Sequence, residues 1–271
     1  MNGMIIAMKP CLAHWPEIAA RIQAARGVFV AFDYDGVLSP IAPRPDFATL
    51  SIENRILLDR LARHPGMHVA VVSGRSLADV RKHIDLDSLF YAGNHGAEIS
   101  FNGKAERHID LELYRAALVK VKGELGEWLL SYPGGRLEDK GFGIGVHYRE
   151  VAPQRQLAFQ RGFDLWAKNL PADLRVLPAK MMFEVRPKVD WNKGNAVLRL
   201  WQALAPDSLP FCLGDDRTDE DGFMALRGKG INIFVGAAQG SSAEYFLPST
   251  REVTTFIERL LAAADQAFGP L

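Results

Sequence analysis

The sequence predicts an α/β protein whose parallel sheet is built from both ends of the chain and interrupted by an α+β insertion. Three observations lead there. Apolar runs such as Val28–Asp33 and Met67–Val72 are continuous and of strand length, the mark of strands buried on both faces. Helical segments separate such runs in the first 107 residues and again after Pro187. Between these regions the order becomes helix, two extended runs, helix, two extended runs, which suits an antiparallel sheet.

Taken in order, Trp15–Arg26 reads as a helix closed by Gly27, and the strand Val28–Asp33 follows. Ser51 is placed to cap a helix whose Ile52, Ile56, Leu57 and Leu61 share one face, ended by Pro65-Gly66. Met67–Val72 is a second strand, Ser76–Ile84 a short helix and Leu89–Ala92 a further strand, and Asn102-Gly103 marks a hairpin. Leu111–Leu130 is helical, with Leu113, Ala117, Val121 and Leu125 on one stripe, and extended runs follow at Arg136–Asp139 and Gly143–Tyr148. A helix over Pro153–Asn169 precedes two more extended runs, Leu174–Leu177 and Met181–Arg186. The alternation then resumes with helix Gly194–Leu204, strand Phe211–Leu213, helix Thr218–Leu226, strand Ile231–Val235 and a helix around Val253–Ala263. The expected organisation is a core of residues 1–107 and 188–271 with an insertion at 108–187. Trp128, Trp166 and Trp201 fall within helices and read as packing residues.

Composition excludes several classes. Of 271 residues, 48% are apolar, enough for a substantial core, and 32 basic residues balance 32 acidic ones. No global field favours nucleic acid or an anionic membrane, so an anionic ligand needs a local basic pocket. The longest apolar runs fall far short of the roughly 20 residues of a membrane span. Met1–Lys9 places its lysine after its apolar run, which makes a poor secretory signal. Cys11 and Cys212 are the only cysteines, which excludes a disulfide framework and a thiolate zinc site. The expectation is a soluble, cytoplasmic protein.

The chemistry begins at Phe32-Asp33-Tyr34-Asp35-Gly36, directly after an apolar strand. Residues i and i+2 of an extended segment project to the same side, so Asp33 and Asp35 converge at a strand's carboxyl end, where open α/β sheets bind ligands. Two such carboxylates suit nucleophilic attack by one and proton transfer by the other, with a divalent cation offsetting their charge. An Asp-rich turn before a helix explains the same residues, and at average composition Asp-x-Asp-Gly arises by chance in about one such chain in twenty. Ser73-Gly74-Arg75 follows the second buried strand, where a hydroxyl and free backbone N–H groups can hold a phosphate oxygen, or where the chain simply turns. Asn192-Lys193-Gly194 opens a helix, placing a cation beside N-terminal amides, or a solvated lysine on the surface. After a short strand and Gly214, Asp215 through Asp221 crowd five acids into seven positions. The helix dipole accounts for Asp219 and Glu220, and less well for Asp215-Asp216 at the strand end, where hard oxygen ligands suit Mg²⁺.

In this order, Asp-x-Asp-Gly, Ser, Lys and Gly-Asp-Asp resemble the haloacid dehalogenase (HAD) superfamily of phosphotransferases. Longer strings resemble its trehalose-6-phosphate phosphatase family: Asp33 through Ile41, Ala92-Gly93-Asn94-His95-Gly96, Leu137-Glu138-Asp139-Lys140, His147-Tyr148-Arg149, Lys180-x-x-x-Glu184-Val185-Arg186-Pro187 and Trp191-Asn192-Lys193-Gly194. The resemblance implies a Rossmann-like HAD core, an α+β cap, and a Mg²⁺-dependent phosphatase for trehalose 6-phosphate that works through an aspartyl-phosphate. By position, Asp33 is the nucleophile, Asp35 the acid and base, and Ser73 and Lys193 the holders of the phosphoryl group. Mg²⁺ falls to Asp33, Asp35, Asp215 and Asp216, with Asp216 at or just beyond the metal. Glu138, Lys140, Arg149, Lys180 and Glu184 of the cap, with His95 of the core, fall to the sugar. Val37 stands where the family usually has Thr, and Ala179 where Gly usually precedes the lysine. The implied partners are a small sugar phosphate and, functionally, a trehalose-6-phosphate synthase. Two alternatives stand beside this reading. One is a phosphatase for another sugar phosphate, of the sucrose-phosphate or mannosylphosphoglycerate type. The other is a catalytically silent sugar-phosphate-binding protein.

Overall fold

The computed structural model describes residues 8–42, 47–101, 104–179, 181–237 and 240–271. The chain forms two compact units, Met1–His108 with Trp191–Leu271, and Ile109–Asp190. Strands in chain order are β1 (Lys9–Pro10), β2 (Val28–Phe32), β3 (Met67–Val72), β4 (Phe90–Gly93), β5 (Glu98–Phe101), β6 (Lys104–Arg107), β7 (Arg136–Asp139), β8 (Ile144–His147), β9 (Leu174–Ala179), β10 (Met182–Pro187), β11 (Leu209–Gly214), β12 (Ile231–Val235) and β13 (Tyr245–Leu247). The helices are α1 (Trp15–Gln23), α2 (Ile52–Arg63), α3 (Leu77–Ile84), α4 (Glu112–Leu129), α5 (Pro153–Ala167), α6 (Lys193–Leu204), α7 (Glu220–Leu226) and α8 (Thr250–Phe268).

The first unit carries a nine-stranded sheet in the order β1-β13-β12-β11-β2-β3-β4-β5-β6. Pairing is parallel from β1 through β4 and antiparallel for β5 and β6. β2 lies at the centre and all five of its residues are buried. Val28, Val30 and Phe32 pack in the layer of α1, α2, α3 and α8, whereas Phe29 and Ala31 pack with α6 and α7. The period-2 alternation of a strand thus feeds two separate cores, which is why β2 has no polar position until Asp33. Among the described residues no helix is long and apolar enough to cross a membrane.

The Ile109–Asp190 unit has a four-stranded antiparallel sheet, β7-β8-β10-β9. Val146 and Val185 pack with Val121 and Leu125 of α4 and with Phe159 and Phe163 of α5. Phe163 and Phe183 stack at 4.2 Å, and Trp128 meets Phe159 edge-on at 4.7 Å, as packing residues do. The two chain crossings are clasped within the first unit. His108 stacks on Trp191 at 4.2 Å between ring centres, and Trp191 Nε1 donates to the Gly96 carbonyl at 2.7 Å.

Several local expectations need correction. Ser51 does cap α2, accepting from the Asn54 N–H, but the buried stripe is Asn54, Leu57, Leu58 and Leu61. Ile52 and Ile56 are exposed, because the helix turns its Leu57-Leu58 edge to the sheet. In α4 the buried stripe is Leu118, Val121, Leu125 and Leu129, with Leu113 exposed one turn too early. The edge strand β1 and its neighbour β13 are two and three residues long, too short to show a period. Asn102 and Gly103 lie outside the described residues, although Phe101 and Lys104 pair on either side of them.

Phe256 is fully buried in the α8 layer, against Trp15 at 5.9 Å and Phe211 at 6.1 Å. Phe256→Ala is expected to cost about 3–5 kcal/mol. Urea unfolding monitored by far-UV circular dichroism checks this, and a midpoint equal to the parent's contradicts it.

Candidate active site

The site forms at the carboxyl edge of the central strands. Asp33 extends β2 by one residue, and its N–H donates to the Leu213 carbonyl of β11 at 2.9 Å. This draws Asp33 towards the acids that follow β11. Oxygens of Asp33, Asp215 and Asp219 all lie within 4.8 Å of one another. Lys193 enters from the first position of α6, a helix capped by a reciprocal Asn192–Asn195 box. Its Nζ lies 3.1 Å from Asp33 Oδ1 and 2.7 Å from Asp219 Oδ1. All three side chains are essentially removed from solvent.

Asp219 is the residue that sequence reasoning misplaced. Its position at the start of α7 suggests a partner for the helix dipole, yet it makes no side-chain cap on that helix. The carboxylate turns back instead. Oδ2 accepts from the N–H groups of Asp215 and Asp216 at 3.0 and 3.1 Å, while Oδ1 takes Lys193. Two glycines make this packing possible. A Cβ on Gly214 would lie 2.2 Å from the Asp219 Cβ, and one on Gly36, at φ +83°, would lie 2.1 Å from Asp215 Oδ2.

Burial sets the electrostatics. Desolvation drives the Asp33 carboxyl well above its ordinary range, Lys193 opposes this, and Asp219, Asp215 and Asp35 add to it. Asp215 is pushed to about 8 by burial and by its neighbours Asp219 and Asp216. Burial also works against the Lys193 charge, but Asp219 and Asp33 outweigh it and the ammonium stays protonated. Asp216 behaves differently. Burial raises it, but Lys193, two hydrogen bonds from Thr218 and His95 bring it below the usual carboxylate range. Its Oδ1 accepts from Thr218 Oγ1 at 2.8 Å, so Asp216 is beside the three-acid cluster and not a member of it.

Ser73 follows β3 and is buried, and its Oγ accepts from the Arg75 N–H at 3.1 Å. That leaves the hydroxyl hydrogen to donate elsewhere. The Arg75 guanidinium grips Asp35 with two bonds of 2.7 Å, from Nε to Oδ2 and from Nη2 to Oδ1. Sequence reading gave Arg75 no role, because an arginine after Ser-Gly carries no spacing signal of its own. His95 donates its N–H to the Ser73 carbonyl at 2.9 Å and lies over Gly74, where a Cβ would come within 2.8 Å of its ring. Its backbone is left-handed, at φ +55°.

In the Ile109–Asp190 unit, Glu138 of β7, Gly145 of β8 and Glu184 of β10 share one row of the sheet. Glu184 is buried and accepts from Lys140 Nζ at 3.1 Å. Glu138 bonds His147 at 2.7 Å, and burial, which would raise its carboxyl, is outweighed by His147 and Lys140. Arg149 lies in an exposed turn just beyond β8, and Lys180 lies outside the described residues.

The donor set fits a hard divalent cation. Three carboxylates converge, and all three are raised, chiefly by burial and then by the charge of neighbouring acids. Asp219 is committed to Lys193 and two amides, which makes Asp33 and Asp215 the carboxylates suited to an ion.

Comparison with known proteins agrees with this geometry. The family model described as trehalose-phosphatase matches residues 31–251. The chain is 34% identical over 260 residues to a probable trehalose-phosphate phosphatase 4 of Oryza sativa subsp. japonica, covering 92% of this chain and 70% of that protein. In fold it is similar to the C-terminal domain of a trehalose-6-phosphate phosphatase from C. albicans, with a TM-score of 0.81, 24% identity, and 96% and 99% of the two chains covered. A haloacid dehalogenase-like hydrolase from Bacteroides thetaiotaomicron shares the fold at a TM-score of 0.61 and 14% identity, over 86% of this chain and 99% of that one. With that family match over most of its length, and a lysine held between acids at the end of a parallel sheet, the chain belongs to the trehalose-phosphatase family.

Proposed function

We propose that this enzyme hydrolyses trehalose 6-phosphate to trehalose and phosphate, through a phosphoryl group carried by Asp33. The observation that carries the reading is the buried Lys193 between Asp33 and Asp219, with Asp215 alongside. A carboxylate aligned by a fixed cation at a strand end suits in-line attack on phosphorus, where catalysis is mainly positioning and charge stabilisation.

In the first step an Asp33 oxygen bonds to phosphorus and the bond to the sugar's 6-oxygen breaks, with Asp35 supplying that oxygen's proton. In the second, Asp35 takes a proton from water, water attacks the acyl phosphate, and Asp33 and phosphate are released. Ser73 and Lys193 hold the phosphoryl oxygens. Asp33, Asp215 and the Asp35 carbonyl would hold Mg²⁺, with Asp216 beside it. The ion would supply positive charge against the phosphoryl group and the acids around it. The residues that choose the sugar are Glu138, Lys140, Arg149, Lys180 and Glu184, joined by His95. A polar row with paired, buried charges is suited to hydroxyl groups, since each acid and base can accept from or donate to one.

Asp33→Asn is expected to abolish phosphate release while the melting temperature stays near the parent's, because an amide cannot form the acyl phosphate. Normal turnover by the folded variant refutes the mechanism.

Exhaustive chelation is expected to remove activity and added Mg²⁺ to restore it, with Asp215→Ala raising the Mg²⁺ concentration needed. The check is phosphate release against free Mg²⁺, and full activity in excess chelator overturns the metal assignment.

Glu184→Ala is expected to leave a bound sugar hydroxyl without its partner, at about 1–3 kcal/mol for a buried polar group. That corresponds to a loss of about 5- to 150-fold in kcat/KM for trehalose 6-phosphate. A small generic phosphate ester is expected to be hydrolysed almost as before. Equal losses on both esters assign Glu184 to folding of its own unit and remove its part in sugar choice.

A further inference from the structure

The Arg75–Asp35 pair has a construction that simple charge neutralisation does not require. Arg75 is fastened at every point. Its side chain is 6% exposed, Nη1 donates to Asp79 Oδ2 at 2.8 Å, and the guanidinium lies 5.2 Å over the Tyr34 ring. Its own backbone is tied at both ends, the N–H to Ser73 Oγ and the carbonyl to the Asn94 N–H at 2.6 Å. Asp35 is the more exposed partner, with a side chain 40% exposed and both oxygens lying in the arginine's fork at 2.7 Å. A planar fork fixes a carboxylate's plane as well as its position, which a lysine cannot do.

The acid and base assigned to Asp35 above must reach two different oxygens, that of the leaving sugar and that of the incoming water. A carboxylate with both oxygens on one guanidinium keeps a second lone pair on each oxygen for that proton, but its plane is then set by the arginine. We propose that Arg75 is the positioning residue of Asp35: it holds the carboxylate in one orientation through both proton transfers, leaving the outer lone pair of each oxygen to carry the proton. Arg75 does not touch the substrate's reacting atoms in this scheme. Because its N–H also orients the Ser73 hydroxyl, one residue sets the register of both the phosphate holder and the proton carrier. The proposal rests on the acid–base reading of Asp35, and its test separates the two.

The experiment is a double-mutant cycle on steady-state kinetics with trehalose 6-phosphate and with nitrophenyl phosphate, each variant's fold checked by its melting curve. Arg75→Met is expected to lower kcat on trehalose 6-phosphate about 10- to 100-fold with little change in KM, the scale of a misplaced catalytic group. Arg75→Lys keeps the charge without the fork, and is expected to fall between Arg75→Met and the parent; it carries the test if Arg75→Met does not fold. On nitrophenyl phosphate, whose leaving group needs no proton, the loss is expected to be smaller. In the Asp35→Asn background the further loss from either arginine variant is expected to shrink to about twofold or less, since contacting residues that act as a unit are not additive. An arginine effect of the same factor with and without Asp35 overturns the proposal and leaves the acid–base reading standing. Full turnover by Asp35→Asn on both esters overturns the acid–base reading, and the positioning role with it.

Discussion

A protonated amine buried among carboxylates is the constraint on which this architecture depends. Taking Lys193 out of water is costly unless acids surround it with good geometry, and Asp33 and Asp219 supply that from two separate elements. The acids come from the end of β2 and from the segment after β11, so those strands have to be neighbours. The lysine comes from the first position of α6, so that helix has to begin at the sheet's carboxyl edge. The acids in turn are crowded enough that burial raises Asp33 and Asp215. Neither side of the arrangement is stable in its charged form without the other.

Around that centre, glycine and asparagine do the spacing. Gly36 and Gly214 let Asp215 and Asp219 come closer to the backbone than any side chain permits. Asn192 closes the start of α6, so that the helix delivers Lys193 from an ordered turn. The Ile109–Asp190 unit follows a different logic. Its sheet presents paired charges on one row and keeps its aromatic residues against α4 and α5. A phosphate is recognised by charge and a few donors, whereas a sugar demands many directed donors and acceptors, and the two units divide along that line under the function proposed.

Much of this was legible in the sequence because strand ends announce themselves. Continuous apolar runs located β2, β3 and β11, and the first polar residue after each is Asp33, Ser73 or, one glycine later, Asp215. What escaped reading has physical causes. Asp219 carries the same sign as a helix-dipole acid, and only the geometry shows its carboxylate turned away from the helix. Arg75 owes its place to α3 and to Tyr34, contacts that no spacing encodes. In α2 and α4 the apolar residues outnumber the buried positions, so the pattern admits more than one stripe and tertiary packing chose.

The interleaved strand order also governs when the acidic cluster comes into being. β2 is bordered by β3 on one side and by β11 on the other, and β11 begins at Leu209, after the whole of Ile109–Asp190. That inserted unit is one unbroken stretch of chain, able to complete its own sheet from local sequence as synthesis proceeds. Asp33, by contrast, leaves the ribosome before that unit and meets Lys193 and Asp215 only when the segment beyond it follows. A growing chain therefore never has to bury one acid of the set without the amine that answers it.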